Sequence, residues 1–375
     1  MNITVKEIHT KRELKDFVNF PYRLYKNHKC FVPSLRFDEL NTLSKEKNPA
    51  FDYCEARYWL AYKDNKIVGR IAGILNKAYI EKWQQKHLRF GWIDFEEDEA
   101  IVKALLEEVE NWAKSLGMEA VHGPMGFTDL DHEGMLVEGF DQKGTLAAIY
   151  NYSYYPEFLE NINYEKHTDW VEYRINIPGV MDEKLAKMAS IVQKRLQLNI
   201  VNLRNTKDVL PYADAIFDLI NSAYSGLFGV VPLTAKQIQY YTKQYFSFIR
   251  TDYISLVTDQ EGKLAAFGIT MPSLSNALQR SKGRLLPLGF IHLLKAMRKN
   301  NTADLLLVAV RKDLQGKGVN ALLISETLKT YIKNGIRFVE TNHQLEDNKK
   351  VQAMWDYFDA RQHKRRRCYI KYLQP

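Results

Sequence analysis

The chain has 375 residues, more than one hydrophobic core usually organises at ~150 residues per domain, so two domains are expected. With 46% hydrophobic, 26% charged and 12% aromatic residues it can bury a sizeable core, which excludes a disordered, collagen-like or low-complexity chain. A net charge of +8 favours anionic partners such as phosphate-bearing cofactors, anionic lipid or nucleic acid. No apolar run approaches the ~18 residues of a membrane-spanning helix, and the start MNITVKEIHTKRELKDF is too charged for a secretory signal. Cys30, Cys54 and Cys368 stand at no metal-ligand spacing, so reduced thiols, a cytoplasmic chain and no metal are expected.

In chain order, Tyr58 to Tyr62, a polar turn, and Ile67 to Leu75 read as a β-hairpin. Ala100 to Gly117 has apolar residues at helical spacing and a glycine stop. A strand at Met118 to His122 follows, then a glycine-rich acidic stretch, Gly126 to Gly144, expected as a loop over a cleft or a surface excursion. A helix at Tyr155 to Ile162 and a strand at Asp169 to Ile177 close the first half. The second half repeats this plan. A hairpin spans Tyr253 to Thr258 and Leu264 to Thr270, followed by a strand at Leu305 to Val310 and a helix at Gly318 to Gly335. A strand at Ile336 to Glu340, a helix at Lys350 to Ala360 and a strand at Cys368 to Leu373 complete it. Gly318 to Gly335 matches Ala100 to Gly117 at an offset of 218 at both ends. The fold expected is therefore α/β with a mixed sheet, in two tandem domains, 1–178 and 179–375, that meet near Pro178-Gly179.

The sharpest chemical signal is the strand ending Val308-Ala309-Val310, the turn Gln315-Gly316-Lys317-Gly318 and the helix opening Val319-Asn320. A glycine turn ahead of a helix N-terminus offers unpaired amide N–H groups and a positive dipole end to a pyrophosphate, and Lys317 adds charge. The spacing is neither a P-loop nor a dinucleotide fingerprint. It resembles the GNAT superfamily of acyl-CoA N-acyltransferases, whose Q/R-x-x-G-x-G/A motif falls on Gln315, Gly318 and Asn320, the last departing from Gly or Ala. The resemblance implies that Val308 to Val310 hold the pantetheine arm of acetyl-CoA or another acyl-CoA through splayed strand backbone. It further implies that Asn348 is the cofactor-facing asparagine of the next strand. It extends to both halves as a tandem GNAT, and Leu136 to Asp141, Gly283 to Pro287 and Leu345 to Asn348 are similar to a group of uncharacterised bacterial GNAT-related proteins. In the first half Glu97-Asp98-Glu99-Ala100 replaces the glycine turn. Carboxylates there would repel a pyrophosphate, so that half is expected to lack the cofactor site.

Amide formation from a thioester needs a base for the amine proton, donors for the oxyanion and an acid for the thiolate. The tyrosine that many GNATs use as acid would fall at Trp355, which leaves Tyr357 as the nearest hydroxyl. Glu340 is the expected base, His343 its alternative, and His132 and Glu133 on the first-half loop are further candidates. The segment Leu285 to Met297 is apolar between Arg280, Lys282, Arg284 and Arg298, Lys299, which suits an interfacial helix, the wall of a greasy channel, or a buried helix with a charged exit. The cluster His363 to Arg367 leads into an alternating strand and reads as a solvated strand start rather than a nucleic-acid patch. The function expected is acyl-CoA-dependent N-acyl transfer to a small-molecule or lipid amine, with peripheral contact at the inner membrane face open. The alternative is a catalytically silent acyl-CoA-binding or scaffold protein.

Overall fold

The computed structural model describes residues 3–245 and 249–374. The first half runs β1 (Ile3–Glu7), α1 (Lys11–Leu24), α2 (Arg36–Thr42), β2 (Cys54–Lys63), β3 (Lys66–Asn76), α3 (Lys77–Trp83), β4 (His87–Phe95), α4 (Glu99–Ser115), β5 (Ala120–Gly123), β6 (Met135–Glu138), α5 (Tyr154–Asn161) and β7 (Glu165–Asn176). The second runs α6 (Glu183–Arg195), β8 (Asn199–Ile200), α7 (Ala213–Ala223), α8 (Ala235–Tyr245), β9 (Ile254–Thr258), β10 (Leu264–Pro272), α9 (Ser275–Ser281) and α10 (Gly289–Arg298). It continues through β11 (Thr302–Val310), α11 (Val319–Asn334), β12 (Phe338–Thr341), β13 (Gln344–Leu345), α12 (Lys349–Gln352) and β14 (Asp359–Tyr372).

The chain forms two compact units, and their limits cut across the sequence repeat. One contains the residues up to Val171, Ser275–His292 and the segment from His363 onward; the other contains Glu172–Leu274 and Leu293–Gln362. In the first unit the strand order is β1-β2-β3-β4-β5 followed by the end of β14. The only parallel pair there among the described residues is β4 with β5. In the second unit the order is β8-β9-β10-β11-β12 followed by the end of β7, again with one parallel pair, β11 with β12. The closing strand of each half thus completes the sheet of the other: Tyr369 lies opposite Gly123, and Arg174 opposite Glu340.

α4 shows why the helical spacing succeeds. Asp98 caps it by accepting the Ala100 N–H, and Ile101, Val102, Leu105, Leu106, Val109 and Trp112 form one buried face. Each large apolar side chain so buried contributes roughly 1.5–3 kcal/mol. Gly69 and Gly73 of β3 let that face approach, because a Cβ at Gly69 would fall 2.8 Å from Ile101 and Leu105. The other face of β3 packs Ala72 and Ile74 with Phe17, Val18 and Phe127, so β3 is covered on both sides.

Three expectations need correction. The helix expected over Lys350 to Ala360 is one turn, α12, plus a 3-10 turn at Trp355–Tyr357, because Asp359 already begins β14. The stretch Gly126 to Gly144 contains a strand, β6, which pairs with β14 at Leu136 opposite Arg366. The basic cluster is no solvated strand start: Lys364 and Arg366 are 1% exposed. Arg365 and Arg367 donate to the buried Asp169 at 3.2 and 2.9 Å.

Candidate acyl-donor site

The site of the second unit begins where a strand loses its neighbour. β10 and β11 pair from Ala266–Val310 to Pro272–Ala303, but the register slips between Ile269 and Thr270, and Leu306 is left without a cross-strand partner. On the other side, β11 and β12 pair only from Thr302–Phe338 to Leu305–Thr341. Past Leu305, side chains serve the β11 backbone in place of a strand. Asn342 donates its Nδ2 to the Leu306 carbonyl at 3.3 Å. The Tyr224 hydroxyl donates to the Val308 carbonyl at 2.9 Å and accepts the Val308 N–H at 3.4 Å. A hydroxyl that satisfies both groups of one residue marks a backbone edge able to bond an amide-bearing ligand in the same way. Ala309 and Val310 continue in register with Phe267 and Ala266, buried.

The strand feeds the glycine turn. Gln315 donates Nε2 to the Val310 carbonyl at 3.0 Å, which ties the turn to the strand end. Gly316 has φ 73° and Gly318 φ 87°, left-handed backbone that glycine adopts without a Cβ penalty. Gly318 is the N-cap of α11 with no side-chain cap, so the first amide groups of a 16-residue helix face outward for an anion. A Cβ at Gly316 would meet nothing within 4 Å, whereas one at Gly318 would lie 2.9 Å from Val192 Cγ2. Val192 belongs to α6, which packs on α11; Arg195 of the same helix donates to the Lys317 carbonyl at 2.8 Å. A cavity of about 490 Å³ opens there, lined by Lys184, Lys187, Met188, Ile191, Val192, Arg195, Lys317 and Gly318. Four cations with an apolar floor beside outward amides fit the phosphates and adenine of coenzyme A. Val319 is itself core, so it can offer only its N–H. Asn320 donates to Met354 Sδ at 3.3 Å, and Asn348 is the N-cap of α12.

The expected catalytic side chains lie in different settings. Glu340 is buried on β12, 3.8 Å from Arg174 Nη1 and in register with the buried Asp304, within the part of β12 that is still paired. His343 lies just past the point where β12 leaves β11. Its Nδ1 is 2.6 Å from Asn342 Oδ1, and its Nε2 is 4.0 Å from Oε1 of the buried Glu172. Tyr357 is 80% exposed and joins none of these contacts. Trp355, at the position of the missing tyrosine, is core and donates to Gln344 Oε1 at 3.0 Å. Tyr224, Asn342 and Glu172 escaped the sequence reading. Only Glu172 left a signal there, a charge inside the apolar strand DWVEYRI.

His132 and Glu133 belong to the first unit. His132 Nε2 meets the Leu146 carbonyl at 3.0 Å. Burial, aided by the Asp129 charge, raises Glu133 to about 8; burial also raises Asp129 and Asp131 to about 6 each. Within the acidic turn, Asp98 pairs with Lys63 at 2.8 Å and caps α4, a structural use of the position that holds glycine in the second half. In the segment Leu285 to Met297, the large side chains of Leu286, Leu288, Phe290 and Leu294 are exposed, which sets aside the buried-helix reading for that face.

In each half a strand parts from its parallel neighbour and runs on toward a helix, but only in the second half does it do so through a glycine turn. Residues 213–358 match the model of the Acetyltransferase (GNAT) family. A tandem GNAT protein from the clavulanic acid biosynthesis pathway superposes with a TM-score of 0.58 at 12% identity, over 100% of this chain and 99% of its own. The chain is also similar to Protein YghO of Escherichia coli strain K12, 27% identical over 98% of this chain and 95% of that protein. It is 24% identical to the bacterial ceramide synthase of Caulobacter vibrioides, over 99% of this chain and 98% of that protein.

Proposed function

We propose that the protein transfers an acyl group from acyl-CoA to the nitrogen of a long-chain amine met at a membrane surface. The observation that carries the transfer is the open edge of β11 leading into the uncapped N-terminus of α11. The lipid acceptor rests on the exposed Leu286, Leu288 and Phe290 of the first unit, in the same short segment as the exposed Arg284, apolar side chains with a cation for anionic headgroups. A ceramide is the amide of a long-chain amine, so the name of the Caulobacter relative points to the same acceptor class.

In this reading the backbone of Val308 to Val310 orients the pantetheine arm. The turn Gln315 to Gly318, with the N–H groups of Val319 and Asn320, holds the pyrophosphate. The amine nitrogen attacks the thioester carbon; the C–N bond forms as the C–S bond breaks. His343, braced by Asn342 and Glu172, takes the amine proton, and Tyr224 supplies a proton to the departing thiolate. Glu340 is assigned to the ion pair with Arg174 and to positioning rather than to proton transfer.

The test is a turnover assay with acetyl- and long-chain acyl-CoA and a long-chain amine in mixed micelles. His343→Ala should cost a factor on the order of 10² in kcat while leaving coenzyme A affinity unchanged. Full activity in that variant moves the base to Glu340. Coenzyme A binding without turnover on any amine favours the silent-binder alternative.

A further inference from the structure

Alternation along the strands of the first unit separates two kinds of side chain. Toward α4 and α5, β4, β5 and β14 present Leu88, Phe90, Val121 and Tyr369, all core. The opposite face carries His87 and Arg89 from β4, His122 opposite Arg89 on β5, and Cys368 two residues before Ile370, which lies opposite His122 on β14. β7, the next strand in order, adds His167. Four neighbouring strands therefore place three imidazoles and one thiol on one face, where the alternation elsewhere puts apolar side chains. His122 and Cys368 are fully buried and His87 nearly so. The rings of His87 and His122 are 5.2 Å apart, and those of His122 and His167 5.6 Å. One donor atom from each of His122, His167 and Cys368 lies within 4.8 Å of the others.

We propose that His122, His167 and Cys368 form a buried binding site for a borderline-soft divalent metal ion of the zinc class, with His87 beside it as a supporting imidazole. Two nitrogens and one sulfur are the donor set such an ion prefers over magnesium or calcium. Bonds of about 2.0–2.3 Å need the donors closer than the 4.8 Å they now span, a contraction that side-chain torsions can supply. Burial holds His167 at about 4 and His122 well below its ordinary value, so both rings are neutral and carry a lone pair. The thiol is the group that must give up a proton: the S–H bond breaks, the S–metal bond forms, and the proton leaves to solvent. The guanidinium of Arg89 opposes the added charge. Glu133, which burial holds at about 8, is mostly protonated at neutral pH and offsets that charge only when it too gives up its proton. Cysteine spacing in the sequence suggests no such site, because the ligands come from strands far apart in the chain.

The experiment is titration of the purified full-length protein with cobalt(II) at neutral pH, read by thiolate-to-metal charge transfer in the near-ultraviolet, with zinc as competitor. The expected result is one ion per chain, displaced by zinc, with the band lost in Cys368→Ser and retained in Cys30→Ser. If Cys368→Ser fails to fold, His167→Gln decides, since this half-buried ligand should lower cobalt affinity at least tenfold. No stoichiometric binding by the folded wild type, a band that survives Cys368→Ser, or unchanged affinity in His167→Gln each overturns the proposal. None of these outcomes depends on the acyl-donor site.

Discussion

Replacing Gly318 by glutamate tests the phosphate cradle at its tightest point. At φ 87° an L-residue costs about 1–2 kcal/mol, and a Cβ placed 2.9 Å from Val192 Cγ2 adds about 1 kcal/mol of overpacking. The melting temperature should therefore fall. The binding effect is larger. A carboxylate about 5 Å from a phosphate opposes it by roughly 0.8–3 kcal/mol per charge for effective dielectric constants between 80 and 20. With two phosphate charges the dissociation constant for coenzyme A should rise at least about fifteenfold, at a tenfold change per 1.4 kcal/mol. Calorimetry below the melting temperature measures this directly. Gly316→Ala is the control: it shares the positive φ, but its Cβ meets nothing within 4 Å, so it should lose stability with little change in affinity. A folded Gly318→Glu protein that binds coenzyme A within threefold of wild type would refute the assignment of the turn.

The cations of α6 make a separable contribution. Lys184→Glu with Lys187→Glu should weaken coenzyme A binding about tenfold and 3′-dephospho-coenzyme A binding much less; equal losses would place the 3′-phosphate elsewhere. Phe290 is 44% exposed, so Phe290→Asp should leave the melting temperature nearly unchanged while abolishing co-sedimentation with anionic vesicles. Wild-type binding should fade as salt rises, and a marked loss of thermal stability in the variant would return Phe290 to the core. Glu133 supplies the pH dependence. Its folded-state value of about 8 exceeds its ordinary 4.5, so the native state holds the proton more tightly, and stability is lost as pH rises from about 4.5 to 8. Asp129 and Asp131 act in the same sense up to about 6. Glu133→Gln should flatten the decline in melting temperature over that range, and an unchanged slope would show that the carboxyl is not desolvated.

The sequence by itself determined what depends on local pattern. Helical spacing and glycine stops placed α4 and α11 to within a residue or two, and alternation placed the hairpins. The chemistry of Gln315 to Asn320 singled out the proposed cradle, because a glycine turn before a helix offers an anion site from consecutive residues. Only the tertiary structure decided what depends on pairing across long separations. β7 and β14 each finish the sheet of the other half, which buries Lys364 and Arg366 and turns a run of charges into an internal strand. Tyr224 reaches Val308, and Glu172 reaches His343, from elements whose spacing in the chain carries no trace of the contact. A hydroxyl or carboxylate gains its role from the backbone edge or imidazole that the fold brings within hydrogen-bonding or electrostatic reach, and those distances are fixed by strand order and register rather than by neighbouring residues.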